Sequence, residues 1–480
     1  MSSQIQIIKE KLNDAITQLC ETSWMFAKDP ARNFTRERKL PLREVISFLL
    51  CVEGGSLTGE LLRYFGCSQH SASSSAFIQQ RQKINEFAFP SLFDLFVQKT
   101  DKDRLYKGYR LLAADGSDIQ IPTDPKYTDC YFPGTNGRAP YSLLHLDAVY
   151  DLLQHTYIDA AVCGRRDWNE IGVLCNMVDR SNIAKALIIT DRGYESYNLM
   201  AHIQEKGWKY LIRIKDIHSS GIAAGLDLPD RDEFDLFCPM QLTRRRNRKT
   251  QPLLSQRNYY KWIPTSAPMD YLPTGSHKHD PVVFYSLPFR VVRFKLSDSS
   301  FETVITNLDA DDFPPYELKH LYSKRWGIET SFRELKYTVG LLHFHAKKVE
   351  NITQEIFARL IMYNFSELIT SHVVILKPNR KHPYKANFSV AVQVCRQFLL
   401  GNISPPDVEA TISKNVSVTR TGRSNPRNMV VKHAVSFLSF LICQAWVVIF
   451  FHDWNLDLFT KQVSAYRTVQ PWPQRSDRRA

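Results

Sequence analysis

The stretch Ala186–Thr190 reads ALIIT, and Asp191 follows it directly. A short apolar run without alternation is typical of a strand that is buried on both faces. A helical pattern at 168–178 precedes this run, another at 196–206 follows it, and residues 208–215 again favour a strand. Strands that alternate with helices in this order predict an α/β domain.

Upstream of this unit, the sequence pattern predicts three more strands. Residues 109–122 (YRLLAADGSDIQIP) favour a strand, and residues 143–150 and 156–162 favour a hairpin around Asp151 and Leu152. The predicted order is therefore three strands, helix, strand, helix, strand. Because a hairpin pairs antiparallel and a strand–helix–strand unit pairs parallel, we expect a mixed sheet.

Residues 1–107 are expected to form a helical domain. Pro41 lies at a helix start, residues 42–50 form a strong apolar run, and a serine cluster offers caps for a helix near residue 77. The cluster comprises Ser71, Ser73, Ser74 and Ser75. Short helices with scattered basic residues suit a DNA-binding module, and a plain helical subdomain explains them equally well.

The rest of the chain divides at two further places. Residues 216–300 are rich in proline, serine and charge, with strand-like pieces at 281–287 and 291–296, which predicts a β-rich insertion in a core of residues 108–375. A strand at 301–308 returns to that core, and long helices are expected at 316–339 and 354–374. Residues 376–480 form a C-terminal region for which we expect helices.

Composition narrows the class of protein. The chain has 480 residues, of which 44% are hydrophobic and 23% charged, so it is not a mainly disordered protein. Its formal net charge of +13 favours a polyanionic partner. Nucleic acid is the first candidate for that partner, and an anionic membrane surface is the second.

The cysteines and one apolar run indicate where in the cell the protein is expected. The nine cysteines contain no CxxC pair, which argues against a disulfide framework or a zinc site and fits reduced thiols in a cytosol. Residues 434–451 carry no charge, at the lower limit of length for a membrane span. A buried helix or a pair of strands explains this run as well, and we favour those over membrane insertion.

Two aspartates lie where predicted strands end. Asp115 follows one apolar strand and Asp191 follows another, and each shortly precedes a glycine. This pattern predicts carboxylates at an edge of the sheet, where solvent enters and where pairing or a metal would offset the cost of a buried charge. Taken singly, each aspartate is better explained as an ordinary cap or turn residue, since aspartate is common in turns.

The predicted helix at 316–339 carries a more specific pattern. Four polar residues fall within about 60° of one another on a helical wheel, beside an apolar stripe. The polar stripe is Tyr322, Arg325, Glu329 and Lys336, and the apolar stripe is Ile328, Phe332, Leu335 and Val339. An ordinary ion pair four residues apart would explain Arg325 and Glu329 alone. The whole stripe suits an acidic metal ligand flanked by phosphate contacts.

These motifs together resemble the DDE transposases of insertion-sequence family 4. The spacing Y-x2-R-x3-E-x6-K from Tyr322 to Lys336 resembles the signature of that family, and AADGS around Asp115 and TDRGYES around Asp191 resemble its two aspartate motifs. The resemblance covers about residues 40–375. It implies a ribonuclease H-like core with a β-rich insertion between the second aspartate and the glutamate.

The resemblance also implies an activity. Asp115, Asp191 and Glu329 would be catalytic and would ligate two Mg²⁺ ions, for which Mn²⁺ would substitute. The DNA contacts implied by the same signature are Tyr322, Arg325 and Lys336. Such a protein is expected to cut double-stranded DNA at terminal inverted repeats and to join the 3′-hydroxyl ends to target DNA. It would act as a homodimer in the bacterial cytoplasm, associated with the nucleoid.

Two alternatives keep the same fold but change the function. One is a metal-dependent nuclease that cleaves without integration, and the other is a catalytically idle DNA-binding relative. An intact set of acids with its flanking Tyr, Arg and Lys argues against the idle protein.

Three weaker signals accompany these. The basic run 244–249 is as compatible with DNA contact as with a solvated loop. Trp262 could stack on a displaced base, although core packing is the more common role. His343 and His345 are expected to be exposed or to face DNA rather than to bind a metal.

Overall fold

A computed structural model describes residues 2–36, 39–102, 104–135, 137, 139–166, 168–217, 219–274, 281–297, 300–375 and 384–418. No helix within these ranges is long and apolar enough to cross a membrane. The apolar run at 434–451 and the cysteine at position 443 lie outside the described residues.

The amino-terminal segment is helical, as its pattern predicts. Its helices are α1 (Ser2–Glu21), α2 (Ser23–Phe26), α3 (Leu42–Cys51), α4 (Leu57–Tyr64), α5 (Ser74–Arg81) and α6 (Ala88–Thr100). Pro41 precedes the first turn of α3, and the Ser73 hydroxyl accepts a hydrogen bond from the backbone N–H of Ala76 at the start of α5. The predicted helix starts at Pro41 and in the serine cluster are therefore confirmed.

The next segment follows the predicted order of strands and helices, with two additional strands of two residues each that were not predicted. It contains β1 (Leu105–Tyr106), β2 (Tyr109–Ile121), β3 (Tyr131–Phe132), β4 (Tyr141–Asp151), β5 (Thr156–Gly164), α7 (Glu170–Arg180), β6 (Ala186–Thr190), α8 (Tyr197–Glu205) and β7 (Lys209–Ile214). All five residues of β6 are buried, which fits its continuous apolar sequence.

A β-rich segment follows β7, as expected for the insertion. It contains β8 (Phe234–Thr243), α9 (Gln251–Leu254), β9 (Tyr260–Trp262), β10 (Tyr285–Ser297) and β11 (Ser300–Thr306). The prediction of two strand pieces at 281–287 and 291–296 is wrong, because β10 is one continuous strand. Pro288 lies opposite Pro239 of β8. Two opposed prolines fit a non-hydrogen-bonded pair, in which neither strand needs the missing N–H donor.

The strands form one mixed sheet. The order is β3-β4-β2-β6-β7-β11-β10-β8-β9, with β1 paired to β2 and β5 to β4. Strand β2 pairs parallel with β6, and β6 pairs parallel with β7, whereas β4 and β5 continue the sheet antiparallel. Because β11 pairs antiparallel with β7, the β-rich segment extends the central sheet.

Three helical pieces occupy the place of the helix predicted at 316–339. They are α10 (Pro315–Lys324), α11 (Trp326–Glu334) and a π-helical segment, Leu335–Val339, before the left-handed Gly340. The prediction of one uninterrupted helix is therefore wrong. A side chain on Gly327 would clash with Leu152, since its Cβ would lie 2.9 Å from the Leu152 Cδ2. The backbone of Arg325, between α10 and α11, keeps right-handed helical angles, and Gly327 packs against Leu152 in the turn after β4.

The remaining elements complete the described part of the chain. They are α12 (Val349–Thr370), β12 (Tyr384–Ala386), α13 (Phe388–Leu399), α14 (Pro405–Lys414) and β13 (Val416–Val418), and β12 pairs with β13. Helix α12 is buried along most of its length. Two apolar cores lie on opposite faces of the sheet: Leu111 and Ala113 of β2 face the core that contains α12, and Leu112 and Ala114 face the core that contains α7 and α8.

Candidate active site

Asp115 lies within β2 rather than at its end. The parallel pairing with β6 stops at Ala113, which is opposite Ile189, whereas the antiparallel pairing with β4 continues to Ile121. The expectation that the chain turns at Asp115 is therefore wrong. Its carboxylate nevertheless lies beyond the end of β6, and its Oδ1 accepts a hydrogen bond of 2.9 Å from the N–H of Gly116.

Asp191 follows the last residue of β6 and starts a short 3₁₀ turn, Arg192–Tyr194. Its Oδ1 accepts a hydrogen bond of 2.8 Å from the N–H of Gly193, so the side chain acts as a cap. Since Ala113 is opposite Ile189, the same register carried two residues further brings Asp115 beside Asp191. The two carboxylates thus lie near each other where the parallel pairing of β2 with β6 stops, and the negative charge of Asp191 acts on Asp115.

Arg325 joins Glu329 to Asp115. Its Nη2 lies 2.5 Å from the Glu329 Oε1, and its Nη1 lies 3.6 Å from the Asp115 Oδ2. The Arg325 side chain is 7% exposed, whereas those of Asp115 and Glu329 are 21% and 26% exposed. The guanidinium is therefore buried beneath two carboxylates that solvent can reach.

Tyr322 and Lys336 flank this group. The Tyr322 hydroxyl is buried and makes no hydrogen bond within the described part of the chain, and the Tyr322 ring lies 5.8 Å from the Arg325 guanidinium carbon. The Lys336 Nζ donates a hydrogen bond of 2.9 Å to the carbonyl oxygen of Asp118 on β2. Partial burial lowers the pKa of Lys336 from its ordinary value. Lys336 is therefore held on β2 three residues beyond Asp115, and Tyr322 lies beside Arg325 without a polar partner for its hydroxyl within the described residues.

The charge on Asp115 is poorly compensated. Burial raises the pKa of this carboxyl to about 7, Arg325 opposes the shift, and the negative charges of Asp191 and Glu329 add to it. A carboxyl that is costly to ionise beside two other acids is what a divalent cation would relieve. The three side chains supply the hard oxygen atoms that Mg²⁺ and Mn²⁺ prefer, so they fit such ions.

The basic run at 244–249 has a partly structural role. The Arg244 guanidinium donates to the carbonyl oxygens of Pro264, Ala267 and Met269, and Arg246 lies over the Trp262 ring at 5.5 Å. Trp262 is half-buried, and its indole N–H donates to the Arg244 carbonyl oxygen. Arg244 and Trp262 therefore stabilise the segment between β8 and β10 through these hydrogen bonds.

His343 and His345 differ in solvent exposure. His343 is exposed, as expected, and it packs on Gly54. The expectation of an exposed side chain is wrong for His345, whose side chain is 8% exposed. Its Nε2 lies 2.8 Å from the Gly55 carbonyl oxygen, and its ring is beside the buried Glu355.

One polar cluster was not predicted. His145 and Asp147 of β4 and Glu170 of α7 offer ligand atoms that all lie within 4.8 Å of one another, on the face of the sheet opposite Asp115. The pattern His-x-Asp on a strand indicates that both side chains point to one face, but no local pattern brings Glu170 to them. Within the described residues this is the group with the spacing of metal ligands.

Comparisons with known proteins identify a transposase domain in this chain. A family profile described as a transposase DDE domain matches residues 106–365, which is more than half of the chain. The transposase InsG for insertion sequence element IS4, from Escherichia coli (strain K12), is 43% identical over 58 residues. That match covers 12% of this chain and spans 13% of the length of InsG.

A solved structure was also compared, the piggyBac transposase synaptic complex with hairpin DNA. It is 11% identical to this chain, with a TM-score of 0.41 over 89% of this chain and 85% of the other. A likeness at that level supports no argument about fold or function.

Proposed function

We propose that this chain, which belongs to the family of proteins with a transposase DDE domain, moves an insertion sequence by cutting and joining DNA. In this proposal it cleaves double-stranded DNA at terminal inverted repeats and transfers the freed 3′-hydroxyl ends to target DNA. The observation that carries the proposal is the convergence of Asp115 and Glu329 on Arg325, at the end of the strand that precedes Asp191.

Asp115, Asp191 and Glu329 are the proposed catalytic residues and the proposed metal ligands. Two Mg²⁺ ions bound there, with Mn²⁺ as a substitute, would activate the attacking oxygen and stabilise the leaving oxygen at phosphorus. The ligands would act as carboxylates, so Asp115 must lose its proton. Its raised pKa opposes this loss, and a bound cation would lower the pKa and favour the carboxylate. One site could therefore serve first a water molecule and then a 3′-hydroxyl as the nucleophile.

Arg325, Lys336 and Tyr322 are the proposed DNA contacts. The buried Arg325 positions Glu329 against Asp115 and can donate to a phosphate from the same guanidinium. Lys336 presents an ammonium group beside the β2 backbone, and the Tyr322 hydroxyl has a donor to offer. Tyr322 would hold a phosphate rather than attack it.

The rest of the predicted organisation enters the same proposal. Strands β5-β4-β2-β6-β7 would be the ribonuclease H-like core within 108–375, with its β-rich insertion at about 216–300. The helices of 1–107 would bind DNA, and two chains would pair two DNA ends. We place the protein in the bacterial cytoplasm at the nucleoid, and its net charge of +13 favours such a polyanionic partner.

A cleavage assay tests the proposal. Purified protein is incubated with the DNA that flanks its own gene, with Mg²⁺ or with EDTA, beside the variant Asp191→Asn. We expect nicking at the ends that requires the metal and that the variant loses, followed by joining to a target plasmid. Cleavage without joining would indicate a nuclease, and specific binding without cleavage would indicate an idle DNA-binding relative; either result rejects the proposal.

A further inference from the structure

The cluster on the other face of the sheet has the geometry of a second metal site. His145 and Asp147 alternate along β4, and Glu170 lies in the first turn of α7. The His145 Nε2 is 3.5 Å from the Asp147 Oδ1 and 3.9 Å from the Glu170 Oε1. Two ligands at zinc-like bond lengths of about 2.0–2.2 Å in a tetrahedral arrangement lie roughly 3.4 Å apart. The two distances from the His145 Nε2 are therefore close to those between the ligand atoms of a bound ion.

Burial makes this cluster unusual. The side chains of His145 and Asp147 are 6% and 5% exposed. Both carboxylate oxygens of Asp147 and the His145 Nε2 are buried without a hydrogen-bond partner in the described part of the chain. A buried carboxylate without hydrogen-bond donors is costly, so a cation between the three groups would stabilise it.

The outer contacts orient the ligand atoms. The His145 Nδ1 lies 2.5 Å from the Asp118 Oδ1, which leaves the Nε2 directed at the cluster. The Tyr194 hydroxyl donates to the Glu170 Oε1 at 2.9 Å, and the Trp168 ring lies 5.3 Å from the His145 ring. A histidine held by a carboxylate on its other nitrogen is the usual arrangement around a bound metal.

We propose that His145, Asp147 and Glu170 bind one divalent transition-metal ion, separate from the acids around Asp115. One imidazole and two carboxylates suit Zn²⁺ or Mn²⁺. The competing state is a protonated His145 between Asp118 and Asp147, and metal binding would release that proton to solvent.

The position of the cluster indicates what the ion would do. Gly116 follows Asp115, and a Cβ on Gly116 would lie 2.3 Å from the His145 Nε2. Tyr194 belongs to the 3₁₀ turn that Asp191 caps, and the Asp118 backbone holds Lys336. An ion at this cluster would therefore brace, from behind, the segments that carry the two aspartates and the lysine.

Metal binding is tested in a background that removes the other acids. The full-length variant Asp115→Asn/Asp191→Asn/Glu329→Gln is titrated with Zn²⁺ in equilibrium dialysis, and with Co²⁺ to record the visible spectrum of a histidine-bound ion. Into this background we add His145→Gln or, separately, Glu170→Gln, whose side chain is 33% exposed and less critical for folding. Circular dichroism checks that each variant folds.

The matched control is His202→Gln. His202 is also buried, with its Nδ1 2.9 Å from Asp179 and its Nε2 2.8 Å from Asp270, so both nitrogens already have partners. We expect about one Zn²⁺ per chain, affinity at least about tenfold weaker in His145→Gln and Glu170→Gln, and no change in His202→Gln. No bound ion in the background variant, or equal affinity in His145→Gln, would overturn the proposal and leave a proton-bridged cluster. Because the DNA-cleaving acids are absent, this result does not depend on the proposed function.

Discussion

Arg81 and Arg325 are both buried arginines beside carboxylates, but their surroundings differ. The Arg81 Nε donates to Gln354 at 2.9 Å and its Nη1 to Glu355 at 2.7 Å, and its Nη2 donates to a backbone carbonyl oxygen of α12. The Glu355 side chain is 1% exposed. The Arg325 Nε has no partner in the described part of the chain, and its two carboxylates are partly exposed.

The pKa values of the acids show what this difference means. Burial alone would raise the pKa of Glu355, but Arg81 and His345 outweigh it and lower this pKa to about 2. At Asp115, burial dominates and raises the pKa to about 7 despite Arg325. One arginine therefore completes a charge network that joins α5 to α12, and the other leaves negative charge for a ligand to neutralise.

The largest expected effect is on stability, from Arg81→Met. This change leaves Glu355 buried without its main partner, and we expect the free energy of unfolding to fall by about 3–5 kcal/mol. Urea denaturation followed by circular dichroism measures it. The matched variant Arg325→Met should lose less stability, since its partners can reach water, and should lose DNA cleavage instead. Equal losses of stability in the two variants would contradict the comparison.

Asp115→Asn is expected to separate activity from stability. Loss of a proposed metal ligand should reduce strand cleavage by at least about a hundredfold. The same change removes a carboxylate whose ionised form is destabilised by burial in the folded state. The free energy of unfolding at pH 8 should therefore rise by about 1–3 kcal/mol. Denaturation in EDTA and a gel-based cleavage assay measure the two effects. A variant that is less stable than wild type at pH 8 would show that the charge is already compensated.

The two acids should give opposite pH dependences. Because the folded pKa of Glu355 is lowered, its contribution to stability is present above about pH 4.5 and is lost as the pH falls towards 2. Because the folded pKa of Asp115 is raised, stability declines as the pH rises from about 4 through 7. The free energy of unfolding should be measured in EDTA across pH 3–8. Glu355→Gln should lack the decrease in stability at low pH, and Asp115→Asn should lack the decrease as the pH rises through 7. If both variants keep the wild-type slopes, the contrast fails.

Tyr322→Phe should have the smallest effect on stability. It removes a buried hydroxyl that makes no hydrogen bond within the described residues, so the free energy of unfolding should change by less than about 0.5 kcal/mol. If the hydroxyl contacts a phosphate, affinity for end DNA should fall by about tenfold, measured by fluorescence anisotropy. Unchanged affinity would remove Tyr322 from the proposed DNA contacts.

The strand and helix order was predictable because periodic apolar residues report burial directly. ALIIT identified a strand with two buried faces, and Ser73 marked a helix start. The close approach of Gly327 to Leu152, just after the end of α10 at Lys324, was not predictable, since the two residues are far apart in sequence. Pro288 lies in the gap between the two predicted strand pieces, and its position opposite Pro239 of β8 fits a strand that continues through it.

Within the site, the sequence predicted which residues share one face of a helix, but it did not predict contacts between different elements. The stripe of Tyr322, Arg325 and Glu329 follows from helical periodicity. The salt bridge from Arg325 to Asp115 depends on how α11 lies on β2. The cluster at His145 needed the pairing of β4 with β2 and the position of α7, which no single segment encodes.

Because β8 and β10 pair within one sheet, the protein should tolerate a break in the chain between them. The segment after β8 contains Arg246, Arg248 and Lys249, all exposed, so trypsin can reach this segment. After a cut there, strand β8 would remain on one fragment and β10 on the other, still joined by the pairing of residues 285–293 with residues 234–242. The fragments should stay associated after cleavage, with two of the acids on one polypeptide and Glu329 on the other. The protein could then be expressed as two complementing halves, neither of which carries the full set of acids.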